Sequence, residues 1–192
     1  MNAAKMYLPI LAGKLHSTDA ETVANNAISD VIKHMNTYNT TYSIGGSESA
    51  LNGTNANDVQ KKMLGGWFHK STEYTDQMWC DGQYMGPALL AQIIMHNNNN
   101  KNISDNDWDI VAKQFNITRE QLYDSTTGLL YHGFTANPGD NASKYWTGIT
   151  KGGKTYHSAS FWGRANAWYF LALVDVLEAM PTDNTNYNTL KG

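Results

Sequence analysis

Gly86-Pro87 runs directly into Ala88-Leu89-Leu90-Ala91-Gln92-Ile93-Ile94, and this junction limits the folds open to the chain. Proline suits the first turn of a helix, where its missing N–H costs nothing. The residues after it are helix formers too apolar to be anything but buried, which predicts a core helix from Met85 to His96, closed by Asn97-Asn98-Asn99-Asn100. The preceding stretch, Gln77-Met78-Trp79-Cys80-Asp81-Gly82-Gln83-Tyr84-Met85, reads as an approach loop in which Gly82 and Gly86 supply backbone freedom. One carboxylate, Asp81, therefore sits just before a buried helix, between Trp79 and Tyr84. Such a place can keep an acid partly out of water, raise its pKa and suit it to proton transfer. Taken alone, the stretch favours a plain capping or turn role for Asp81.

Other helical patterns surround this one. Ala3 to Leu15 reads as a helix with Pro9 as an awkward interior residue. Helix-start chemistry in Ser17-Thr18-Asp19-Ala20-Glu21 precedes Val23, Ala24, Ala27, Ile28, Val31, Ile32 and Met35, the clearest amphipathic spacing in the chain. From Asn36 to Gly66 the composition shifts to Asn, Thr, Ser and Gly, as expected of a long loop. Asp105 to Phe115 predicts a helix with Trp108, Ile110, Val111 and Phe115 on its apolar side. Asp124 to Gly128 is a turn, and Leu129 to Phe134 could pair as a short strand. A polar excursion from Ala136 to Ser158 leads to the longest predicted helix, about Ser160 to Ala179, with Ser158 or Ser160 as cap and Pro181 beyond its end. No solenoid-type repeat and no set of strands able to build a sheet is present, so the class is all-α in a single domain, 1–192.

The charge balance narrows the partners. A formal net charge of -3 with 16% charged residues gives no reason to expect nucleic acid or an anionic membrane. Six Trp and eleven Tyr are many for 192 residues, and sugars are bound by aromatic faces combined with polar side chains. The one cysteine, Cys80, permits no intrachain disulfide and no two-cysteine zinc pattern, and the histidines show no metal-ligand spacing. No apolar run reaches membrane-spanning length, no signal-peptide pattern follows Met1, and location is left open between cytoplasm and periplasm.

The last long helix begins Phe161-Trp162-Gly163-Arg164-Ala165-Asn166-Ala167-Trp168. Arg164 and Trp168 are four apart and share a face, so a guanidinium and an indole near a helix N-terminus offer an anion site with a flat apolar wall. The same two residues also fit a cation–π pair that packs the helix on a neighbour. His132 lies beside Tyr131 and Phe134, where a histidine more often completes a core than catalyses. His69 and Lys70 follow Trp67 and Phe68 and read equally as rim residues, while His96 and His157 carry no separable signal.

Together these pieces resemble a known family. Gly66-Trp67-Phe68-His69-Lys70, the stretch Gln77 to Met85, Leu130-Tyr131-His132-Gly133 and Phe161 to Trp168 occur in this order. They look like the successive motifs of the unsaturated glucuronyl and rhamnogalacturonyl hydrolases, glycoside hydrolase families 88 and 105. The His69-Lys70 pair resembles family 105 more than family 88, and Ala172 to Leu177 also fits. The resemblance implies an (α/α)6 barrel with its active site at the N-terminal ends of the inner helices. It implies a substrate carrying a C4=C5 double bond at its non-reducing uronic acid, as in the products of pectin or glycosaminoglycan lyases. Hydration of that vinyl ether, protonating C4 and delivering water to C5, gives a hemiketal that opens and releases the sugar. By motif position Asp81 is the expected general acid and base. His69, Lys70, Trp79, Met85, His132, Arg164 and Trp168 are the expected substrate-binding residues, and Asp81, Arg164 and Trp168 are expected at one barrel mouth. No metal or cofactor is implied, and the expected partner is an acidic unsaturated oligosaccharide.

A second family aspartate, in an Asn-Leu-Asp-like motif, falls just before Met1 on the match through Lys5-Met6-Tyr7-Leu8-Pro9-Ile10, and the family continues through several helices beyond Gly192. The expectation is an internal fragment holding about half the barrel, with apolar helix faces left for the missing half or for self-association to cover. Two other functions compete. One is a non-catalytic carbohydrate-binding or assembly module. The other is an ordinary inverting glycosidase, which needs two carboxylates about 6.5–9.5 Å apart.

Overall fold

The structure is a computed structural model that describes residues 22, 26, 66–67, 77–98, 105–135 and 157–192. The expected helices before Asn36 and the polar loop from Asn36 lie outside the described residues, apart from Thr22 and Asn26, both helical, and Gly66, which is buried. In chain order the elements are β1 (Gln77–Trp79), α1 (Cys80–Met85), α2 (Pro87–Asn98), α3 (Asp105–Leu122), β2 (Tyr123–Asp124), β3 (Leu129–Leu130), β4 (Gly133–Thr135), α4 (Gly163–Ala179) and α5 (Thr185–Lys191). Helices dominate, and the strands form two small antiparallel ribbons, β1 with β4 and β2 with β3.

Pro87 opens α2, as its chemistry predicts, and the Leu90 N–H closes the first turn on the Gly86 carbonyl at 2.9 Å. The approach to it is not a loop. Gln77–Trp79 is a strand and Cys80–Met85 a helical turn and a half, because strand pairing with Gly133–Thr135 is available only in the folded chain. Gly86 has φ −107°, so its conformation is open to any residue and glycine is there for room. A Cβ on Gly86 would stand 2.7 Å from the Trp67 indole.

Along α3 the buried residues Trp108, Val111, Phe115, Thr118 and Leu122 recur every three or four positions. The helix therefore runs about two turns past the predicted end at Phe115, to Leu122. Asn116 and Thr118 are weak helix formers, and burial of Ile117, Thr118 and Leu122 overrides them. The turn after Asp124 forms where expected, but the single short strand expected over Leu129 to Phe134 is two, β3 paired with β2 and β4 paired with β1. In the turn Asp124 accepts hydrogen bonds from Thr126 N–H and Thr127 Oγ1, which hold its carboxyl below the usual range. At α4 the expected serine cap is absent. Trp162 holds the cap position with no side-chain cap bond, and Ser158 is engaged elsewhere. The predicted stop before Pro181 is found, with Met180 as C-cap.

Two apolar clusters hold these elements. In the larger, Leu90, Ala91 and Ile94 of α2 meet Trp108, Val111 and Phe115 of α3 and Ala172 and Val176 of α4, with Leu190 of α5 closing one end. Ala91 and Ala172 are fully buried, and their small side chains let helices approach closely. The smaller cluster, Met78, Cys80, Ile117, Leu122, Leu130, Phe134 and Ala165, supports the β1–β4 ribbon. Trp67 and Tyr169 pack against both. Each large side chain buried this way contributes roughly 1.5–3 kcal/mol over exposure. On the outer side of α4, Phe170 is 65% and Leu171 47% exposed.

Gly86→Ala is expected to destabilise the fold by about 1–3 kcal/mol, as overpacking does, because the methyl would strike the Trp67 ring. Gly82→Ala, whose Cβ would stand 3.4 Å from the same ring, should cost less. Urea midpoints of the two variants against the parent give the comparison, and equal midpoints would remove the steric explanation.

Candidate active site

The β1–β4 ladder sets the site. Its register pairs Gln77 with Thr135, Met78 with Phe134 and Trp79 with Gly133. Met78 and Phe134 are both fully buried, and that shared burial locks the register. The Cys80 N–H extends the ladder by one bond, donating to the His132 carbonyl at 3.0 Å. β1 then becomes α1 at Cys80, and the next residue, Asp81, meets the His132 side chain. Asp81 Oδ2 lies 3.3 Å from His132 Nε2, and the two side chains are only 13% and 14% exposed. The contact is an ion pair when the imidazole is protonated, and its length makes it an electrostatic pairing rather than a short hydrogen bond. The Asp81 carboxylate is not a cap, because Trp79 holds the α1 cap position.

Aromatic rings enclose the pair. The Trp79 ring lies 5.2 Å from the His132 ring, its Nε1–H donating to Gln77 Oε1 at 3.0 Å. The Trp162 ring meets His132 edge to face at 4.7 Å. The Arg164 guanidinium lies over the Trp162 ring, 3.7 Å from its centre. The expected Arg164–Trp168 association is therefore replaced by one with Trp162, while Trp168 packs against Tyr84 of α1 at 4.8 Å. Asp81, His132, Trp162 and Arg164 thus form a continuous series of contacts, and the Tyr84–Trp168 contact joins α1 to α4. Met85 closes α1 with 56% exposure. His69 and Lys70 lie outside the described residues.

Three residues join the group that the sequence alone does not single out. Trp162 sits inside the Phe161 to Trp168 motif, so its signal was the motif itself. Tyr84 is marked only by following Asp81. Ser158, offered by the sequence as a helix cap, accepts the His132 N–H at 2.9 Å and donates to the Ser160 carbonyl at 3.0 Å. Beside them, the Tyr131 ring stacks on His157 at 3.8 Å and on Phe161 at 4.4 Å.

A carboxylate and an imidazole with little water access can hold and pass one proton, and the indoles and guanidinium offer a flat surface with a positive charge. Among the described residues no group of three His, Cys, Asp or Glu side chains could hold a metal ion. An open cavity of about 380 Å³ bounded by Arg119, Tyr123, Asn166, Tyr169 and Lys191 shares none of these site residues. Cys80, next to Asp81, is buried, with its thiol donating to the Tyr131 carbonyl at 3.4 Å. Burial first and the Asp81 charge second push that thiol well above its usual range. Iodoacetamide at pH 8 is therefore expected to leave Cys80 unmodified in the native protein and to label it in urea. Rapid native labelling, read by mass spectrometry, would contradict the burial.

A sequence model described as Glycosyl Hydrolase Family 88 matches residues 4–192. Among solved structures the chain is similar to a family 105 glycoside hydrolase from C. acetobutylicum ATCC 824. Identity there is 23% and the TM-score 0.51, over 98% of this chain and 55% of that one. It is also similar to a possible family 105 member from Salmonella enterica serovar Paratyphi A, at 20% identity and TM-score 0.47, over 98% of this chain and 51% of that one. The chain spans about half the length of these structures. The fold is accordingly that of the (α/α)6 barrel, of which this chain holds about half, and the ordered motifs and the matched span together make the chain a member of glycosyl hydrolase family 88.

Proposed function

We propose that this protein hydrolyses unsaturated uronyl oligosaccharides, the products of pectin or glycosaminoglycan lyases, with Asp81 as general acid and base. The observation that carries this reading is the Asp81–His132 pair, 3.3 Å apart under the Trp79 and Trp162 rings, in a chain of the glycosidase family. In the proposed reaction the Asp81 carboxyl gives its proton to C4 of the C4=C5 vinyl ether. Water adds its oxygen to C5, and its proton returns to the Asp81 carboxylate. The C5 hemiketal then opens to a 4-deoxy-5-keto uronate, and the C1 hemiacetal left by that opening breaks down to release the neighbouring sugar. His132 holds the carboxyl in place and contacts the ring, and Trp79 and Trp168 supply its apolar walls. Arg164, backed by Trp162, takes the uronate carboxylate, and His69, Lys70 and Met85 complete the binding surface.

The direct test is absorbance at the unsaturated uronate band during incubation with lyase-digested pectin or glycosaminoglycan. The signal falls as the double bond is consumed and stays level for a binding module or an ordinary glycosidase. Asp81→Asn is nearly isosteric and cannot trade the proton, so kcat is expected to fall by about 10²–10⁴. KM should hold roughly steady, the pattern of an interaction made in the transition state. Near-normal turnover in this variant would assign the proton to another group.

Arg164→Lys keeps the charge and loses the planar fork that lies on Trp162 and can grip a carboxylate in two places. KM for an unsaturated uronide is expected to rise by roughly tenfold, equivalent to about 1.4 kcal/mol of binding. Unchanged KM would make Arg164 a packing residue.

A further inference from the structure

We propose that Ser158 is a positioning residue for the Asp81–His132 pair: its hydroxyl holds the His132 backbone where the imidazole meets the carboxylate. This role presupposes Asp81 as the proton-transfer group proposed for this protein. The need for it comes from the way the ladder ends. In an antiparallel pair, a residue facing its partner at a hydrogen-bonded position gives its N–H and also receives one. Cys80 donates its N–H to the His132 carbonyl, but Cys80 is also the first residue of α1, so its own carbonyl is committed to the helix. The His132 N–H loses its natural acceptor at that point, and a buried N–H must find another. Ser158 Oγ takes the place of that carbonyl at 2.9 Å.

The polarity of the serine is fixed. A hydroxyl has one proton, and the Ser158 proton goes to the Ser160 carbonyl at 3.0 Å, leaving a lone pair for His132. Its own N–H donates to the Gly133 carbonyl at 2.8 Å, and the residue is 3% exposed, so water does not compete. From Ser160 the chain passes through Phe161 to Trp162, whose ring returns to the His132 ring at 4.7 Å. One hydroxyl therefore closes a circuit from the backbone of His132, through the turn before α4, back to its side chain. The same turn carries Arg164 on Trp162. Without the hydroxyl, the His132 N–H loses its acceptor while its carbonyl stays on Cys80, so the peptide tilts and the imidazole shifts away from Asp81.

The experiment uses the intact protein with Ser158→Ala and Ser158→Cys, the latter matched in size with a weak acceptor in place of a good one. The deciding readout is the separation of His132 Nε2 and Asp81 Oδ2 in crystal structures of the parent and both variants, with kcat, KM and the pH profile of kcat measured alongside. Both variants are expected to lengthen that 3.3 Å separation, because each removes or weakens the acceptor that holds the His132 backbone. A displaced proton-transfer pair should lower kcat by roughly 10- to 100-fold, with KM within about twofold. An Asp81–His132 separation in either folded variant that matches the parent overturns the proposal whatever happens to kcat. If Asp81→Asn keeps full turnover, the functional reading falls, and the Asp81–His132 separation in the Ser158 variants still decides whether Ser158 sets the pair.

Discussion

The short antiparallel ladder between Gln77–Trp79 and Gly133–Thr135 is the constraint on which the site depends. A two-stranded ribbon is marginal by itself in water, so this one is stable only on its support. Met78 and Phe134 point from it into the cluster built by Ile117, Leu122, Leu130 and Ala165. A slip of one residue would turn both outward, and would also carry Cys80 away from the His132 carbonyl and Asp81 away from the imidazole. Core burial and site geometry are thus the same requirement, met by the same register.

The larger cluster fixes where that ribbon sits among the helices. α2 is buried along most of its length, and Gln92 of α2 reaches across to donate to the Asp175 carbonyl of α4 at 3.3 Å. Tyr169 spans the two clusters, with its ring against Phe115 at 5.5 Å and its hydroxyl donating to the Phe115 carbonyl at 3.3 Å. Burial, ahead of any charge, raises the pKa of that phenol, so it stays neutral and keeps its donor role. Asn166 clamps the edge of β3 with its side-chain amide, accepting the Leu130 N–H and donating to the Leu130 carbonyl, each at 2.8 Å. α4 therefore meets the core through Ala165, Ala172 and Val176, holds β3 through Asn166, and packs Trp168 on Tyr84 of α1.

The chemistry follows from enclosure. A carboxylate and an imidazole in open water would exchange protons with solvent and gain little from each other. Under two indoles, with most of their surface covered, their mutual influence is stronger because the local dielectric is lower. The guanidinium on Trp162 adds a positive charge close by without adding a competing acid or base. This combination is what the proposed reaction, an acidic ring gripped flat and protonated at one carbon, would require.

Much of the fold was legible in local pattern, and the reason is periodicity. Pro87 at a helix start, the apolar run to Ile94, the Trp108–Val111–Phe115 spacing and the stop before Pro181 are properties of neighbouring residues, so the sequence by itself determined those helices. It also determined the family, because four ordered motifs survive as words in the chain. Tertiary structure alone decided what the words do. Gln77–Trp79 became a strand because it found Gly133–Thr135, a partner far away in sequence. α3 continued past Asn116 because its later residues had somewhere to be buried. Ser158 left the helix cap for the His132 backbone because a strand ended there with an N–H unmet. Arg164 lies on Trp162, two residues before it, while Trp168 packs on Tyr84 of another helix. Local spacing can state which residues share a face, but a contact between distant segments depends on register and on competition for partners, and these exist only once the chain has folded.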